Sequence, residues 1–167
     1  IRPLLPPRAD AHGGQTGDQL GLGLGLMTVM ITNSTLADEM RGLAARAARE
    51  IRETRDQIVL EVAQTPQAQA TGMMYRRSMP VNHGMLFPFA TARVMTFWME
   101  NTWLPLDLVF IGDDGKVAGI AADAKPMSRD IISSQVPARA VLELNGGEAA
   151  RIGLRPGDMV SYKLPKP

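Results

Sequence analysis

There is no cysteine in these 167 residues, so disulfides, thiolate nucleophiles and zinc–thiolate sites are excluded together. Histidine is scarce as well, with His12 and His83 the two representatives. A Ser–His–acid arrangement needs an imidazole to take the nucleophile's proton. His12 lies in a Pro- and Gly-rich lead and Asn82-His83-Gly84 has the composition of a turn, so neither is read as catalytic. No His–x–His or His–x–x–x–His spacing occurs; no metal ligand and no cofactor is assigned. No run of about 18 apolar residues exists, so no helical membrane span is expected. An excess of one charge is also missing: 18 basic residues stand against 17 acidic ones. Between residues 58 and 164 the numbers are ten and ten. Duplex-binding and anionic-membrane surfaces need clustered Lys and Arg, so nucleic acid is not an expected partner.

What is present suits a globular protein: 45% of residues are hydrophobic and 21% charged. Residues 1–19, with Pro3, Pro6, Pro7, Gly13, Gly14 and Gly17, read as a flexible lead. Residues 20–57 read as a strand and an amphipathic helix appended to the core. Leu20 to Leu26 alternates Leu with Gly, which suits a strand whose bare face meets another backbone. A flexible linker is the competing reading. Leu36, Met40, Leu43, Ala44, Ala47 and Ile51 form one apolar stripe, predicting a helix over 35–54. A start at Ile1 is read as processed or trimmed, leaving an upstream signal peptide open; Leu20–Ile31 lacks a basic flank and is read as mature sequence.

Residues 58–164 carry the main core, since all eight aromatic residues lie between Tyr75 and Tyr162. Strands are expected at 58–63, 85–89 (Pro88 implying an edge or a bulge), 93–100, 106–111, 116–124, 140–144 and 159–164. Short helices are expected from Pro66 to about Arg76 and over 146–152, and Asp113-Asp114-Gly115 is a hairpin turn. The fold class is therefore mainly β with short helices (α+β), a sandwich or partly closed barrel.

Several ordered motifs then bear on family. Gly72-Met73-Met74-Tyr75-Arg76, Gly84-Met85-Leu86-Phe87, Phe97-Trp98-Met99-Glu100-Asn101-Thr102 and Leu104-Pro105-Leu106-Asp107 are followed by Val141-Leu142-Glu143-Leu144 and Gly157-Asp158. Over about Val59–Leu164 this closely resembles the domain of unknown function 192 family. The resemblance implies a small β-rich, jelly-roll-like domain of bacteria and archaea, often behind an export signal, and brings no established activity. The family usually has Lys where this chain has Glu100, so a chemistry based on that Lys would be absent here.

The candidate ligand-binding residues are Arg76, Glu100, Asn101, Thr102, Trp103 and Asp107. Polar groups converging on an aromatic wall are typical of small-molecule sites. A purely structural turn competes with that reading, Asp107 capping a loop or pairing with Arg76. Arg76 is expected to pair with Asp107 or Glu100, or to capture an anion. Six of the eleven methionines fall between Met73 and Met99, where core packing outweighs Cu(I) ligation. Gly146-Gly147 at a helix start is sufficiently explained as a turn. The expectation is a non-catalytic small-ligand-binding or accessory domain taking a small polar ligand, extracytoplasmic or otherwise cytoplasmic. The alternatives are a hydrolase using Glu100 and Asp107, whose catalytic residues the sequence leaves open, and a protein-interaction module.

Overall fold

The computed structural model describes residues 24–32 and 57–164. The expected lead, residues 20–23 of the Gly–Leu repeat and the expected helix over 35–54 lie outside these residues. Nine strands are described in chain order: β1 (Leu24–Thr32), β2 (Gln57–Ala63), β3 (His83–Arg93), β4 (Thr96–Phe97), β5 (Leu106–Ile111), β6 (Val117–Ala124), β7 (Ile132–Ser133), β8 (Ala138–Asn145) and β9 (Met159–Ser161). Helix α1 (Pro66–Thr71) joins β2 to β3, and α2 (Glu148–Arg151) lies between β8 and β9.

Seven strands form one mixed sheet in the order β6-β5-β8-β3-β2-β1-β9, and β4 and β7 form a separate two-stranded ribbon. The pairing β2–β3 is parallel, which the crossover through α1 permits. The large sheet curls until its edge strands touch at one bridge, Lys116↔Met159. Val117 N–H donates to the Asp158 carbonyl there (2.9 Å), and Val160 N–H to the Gly115 carbonyl (2.9 Å). The contact stays local, so the sheet is not closed into a barrel. A mainly β, α+β sandwich is the result.

Both faces of the sheet are buried, which explains why its central strands read as nearly continuous apolar runs. On one face Leu60, Leu86, Val109, Leu142 and Leu144 pack with Ala149 of α2 and Leu154. On the other, Met85, Phe87, Leu108, Phe110 and Val141 are covered by Ala68 of α1, Met73, Phe97 and Met99. Phe97 sits edge-on to Phe87 (centroids 6.4 Å apart) and tilted to Phe110 (6.2 Å). Each such aromatic pair is worth about 0.5–1.5 kcal/mol beyond area burial.

Three expectations change. The helix after Thr65 ends at Thr71 rather than near Arg76, because Gly72 leaves the helix at φ 49°. The chain then turns through Tyr75 at φ 64°. The strand around Met85–Phe89 is eleven residues long and central, not an edge. Pro88 is tolerated because β2 pairs with β3 only as far as Leu86, so no ladder partner on that side misses its N–H. The register against β8 also shifts between Pro88 and Arg93, as a bulge would. The apolar run 93–100 supplies only the two-residue β4. Its Met95, Phe97 and Met99 are instead buried in the layer over the sheet. Turn contacts fix that layer: Met95 N–H to Ser134 Oγ (2.9 Å) and Met99 N–H to the Ser128 carbonyl (2.9 Å).

Candidate functional site

One row of side chains crosses the sheet face that the methionine layer covers. Register places Glu61 of β2 beside Met85 of β3, Met85 beside Glu143 of β8, and Glu143 beside Leu108 of β5. Directly paired residues share a face, and Met85 and Leu108 both belong to the methionine-lined core. Glu143 is thus a carboxyl in the middle of an apolar face. It is fully buried. Neither Oε1 nor Oε2 has a hydrogen-bond partner among the described residues. Burial pushes its carboxyl up to about 7, while the nearby Arg76 charge pulls the other way.

Arg76 reaches this row from the loop after α1. Met73 anchors the loop in the core, and the left-handed Tyr75 turns the chain so that Arg76 meets Glu61. The guanidinium grips Glu61 with both prongs, Nη2 to Oε2 at 2.6 Å and Nη1 to Oε1. The hydrogen bond from Arg76 holds the Glu61 carboxyl below the usual range against the effect of burial. The pair is partly exposed. A glycine at position 84 keeps the row tight: a Cβ there would lie 2.5 Å from the Glu143 carbonyl oxygen.

The residues singled out from sequence are distributed over two sites. Glu100, Asn101, Thr102 and Trp103 form one corner, tied to the Arg76 loop by Tyr75 N–H donating to the Asn101 carbonyl (2.9 Å). Glu100 pairs with Arg129 (2.7 Å). Thr102 is buried, and its carbonyl accepts from Met127 N–H (3.0 Å). Trp103 remains 41% exposed, with the Arg77 guanidinium 4.6 Å above its ring. Asn101 at φ 56° and Met127 at φ 61° join Tyr75 in the left-handed region, so three loops interlock through strained residues. Arg76 faces Glu61 rather than Asp107 or Glu100, since the crossover sets its loop over β2.

Asp107 alternates with Leu106 and Leu108 and therefore occupies the opposite face of the sheet. It is fully buried, and its carboxylate accepts from Asp123 N–H (2.9 Å), Gly147 N–H (3.1 Å) and Ala149 N–H (2.8 Å). That set clamps the start of α2 to the sheet. Glu100 belongs to the layer over the other face, so the sheet lies between the two carboxylates proposed for hydrolysis. Among the described residues no group of three or more His, Asp or Glu side chains could hold a metal ion. None of their helices is long and apolar enough to cross a membrane.

Glu61 and Glu143 were not singled out from the sequence. Each interrupts an otherwise apolar strand, Ile58–Ala63 or Ala140–Leu144. In a strand buried on both faces such a residue must itself be buried, which was the available signal for Glu143, whereas Glu61 stays partly exposed.

Comparison with known proteins agrees with the fold. The model of the domain of unknown function 192 family, described as uncharacterized ACR, matches residues 35–162. The match includes residues 35–57, upstream of the motifs read from sequence. A solved structure from Sinorhizobium meliloti 1021, described as a candidate transcription regulator, is 35% identical, with a TM-score of 0.69 over 83% of this chain and 95% of its own. A protein of unknown function from Novosphingobium aromaticivorans DSM 12444 is 33% identical, with a TM-score of 0.68 over 90% of this chain and 99% of its own. Among curated proteins none matches.

Proposed function

Because this chain belongs to the domain of unknown function 192 family, which carries no assigned activity, we propose from its own geometry that it is a non-catalytic small-ligand-binding domain centred on Glu143, Arg76 and Glu61. One observation carries the reading: Glu143 is fully buried with both oxygens unpartnered among the described residues. Leaving a buried polar group unsatisfied costs about 1–3 kcal/mol, and more for a charged one. A side chain that only packs would be replaced by an apolar one at a gain in stability. A ligand that satisfies the carboxyl gives that cost a purpose. The neighbouring Arg76–Glu61 pair supplies a polar rim, and the methionine-rich layer supplies side chains that re-pack readily around a guest.

The test is a thermal-shift panel of small polar cations, anions and neutral compounds against the full chain and the Glu143→Gln variant. Ligand at a hundredfold excess over Kd contributes about 2.7 kcal/mol, a shift of several degrees for a protein of this size. The reading expects at least one compound to raise the wild-type Tm and leave the variant's unchanged. If no compound discriminates the two proteins, Glu143 is not a ligand anchor and the proposal fails.

A further inference from the structure

The charges that face Glu143 restrict what the ligand can be. On the β2 side stands Glu61, and above the row stands Arg76, which Glu61 already engages with both oxygens. On the β3 and β5 sides the neighbours are Met85 and Leu108, which carry no charge. His83, at the start of β3, acts on Glu61. Two carboxylates and one guanidinium therefore share the row, and the guanidinium belongs to the partly exposed pair rather than to the buried acid. Among the described residues the one permanent positive charge in the row, Arg76, is already held by Glu61, so an anion entering here would meet two carboxylates. A metal ion would lack ligands, since no suitable group of three side chains exists among the described residues. An ammonium group would give the buried carboxylate the charge-assisted hydrogen bond that Arg76 does not supply. The flanking Met85 and Leu108 suit an alkyl chain behind that head group. Met73, Met85 and Met99, all fully buried in the same cluster, are flexible enough to make room.

We infer that the ligand is a small primary alkylammonium ion, its charged head on the Glu143 carboxylate and its chain against Met85 and Leu108. This rests on the ligand-binding reading above and narrows it to one chemical class.

The experiment is an amide ¹H–¹⁵N NMR titration of the full chain with n-butylammonium, n-butyrate and n-butanol, at pH 6 and pH 8. Butylammonium is expected to shift the amides of Met85, Leu108 and Glu143 saturably. With the free carboxyl titrating at about 7, its affinity should be about tenfold higher at pH 8 than at pH 6, because only the ionised form binds the cation. Butyrate and butanol should leave those amides unmoved. Glu143→Gln should abolish the butylammonium response while keeping the dispersed spectrum of a folded protein. The pH comparison needs only the wild-type chain, so it stands even if the variant folds poorly. Butyrate binding at the same amides, tighter at pH 6, would overturn the cation assignment while leaving a Glu143-centred ligand site in place. Failure of all three probes to move these amides would also overturn the assignment; the thermal-shift panel then decides the broader reading separately.

Discussion

Arg76 binds Glu61 with both prongs of its guanidinium and acts on Glu143 only through space, with no hydrogen bond between them. Its positive charge is one of the forces that lowers the Glu143 carboxyl from where burial alone would put it. Replacing Arg76 with Met keeps most of the stem's volume and removes the charge. The expected outcome for Arg76→Met is a Glu143 titration midpoint above that of the wild type, read by side-chain carboxyl NMR.

Stability should depend on pH through the same carboxyl. Glu143 titrates higher in the folded state than the ordinary 4.5, at about 7. Between those values the native state holds more protons than the unfolded state, so stability falls as pH rises through the window and levels off above it. A shift of this size corresponds to about 3 kcal/mol. Glu143→Gln, which never ionises, should match the wild type near pH 4 and exceed it by about 2–3 kcal/mol at pH 8 in urea denaturation.

Asp107 has a different task from the one its motif suggested. Its carboxylate receives three backbone N–H groups and joins the start of α2 to the sheet. Asp107→Ala would leave those buried donors without an acceptor, and a loss of about 3–5 kcal/mol is expected in denaturant unfolding. Asp107→Asn keeps an acceptor and should lose less.

Gly84 sets how closely β3 approaches β8. A Cβ at this position would sit 2.5 Å from the Glu143 carbonyl oxygen and 2.9 Å from a Leu144 methyl. The first of these is backbone and has little freedom to retreat. Gly84→Ala should cost about 2–3 kcal/mol by overpacking and perturb the Glu143 amide in NMR.

The elements that local chemistry determines were legible in the sequence. Thr65 with Pro66 marked the start of α1, where Thr65 Oγ1 accepts from Ala68 N–H at 3.1 Å. Asp113-Asp114-Gly115 marked the β5–β6 turn, with Gly115 at φ 75°. The run 93–100 was misleading because an apolar stretch in a covering loop layer has the same composition as a buried strand. The corner from Glu100 to Trp103 was legible as a unit because it is continuous in sequence. The row Glu61–Met85–Glu143–Leu108 was not, because it joins four strands far apart along the chain. Its assembly depends on β3 inserting between β2 and β8, and no local propensity records that order. The partner of Arg76 was missed for the same reason: Glu61 becomes its neighbour only through the parallel β2–β3 crossover.

The role of Glu143 is tested most directly by a carboxyl ¹³C NMR titration that follows it in the full wild-type chain from pH 4 to pH 9. A single midpoint near 7 is expected, as for a buried carboxyl that no hydrogen bond satisfies. A midpoint at the ordinary glutamate value of 4.5 would mean that Glu143 is solvated or already paired, and would contradict its role as the anchor of the site.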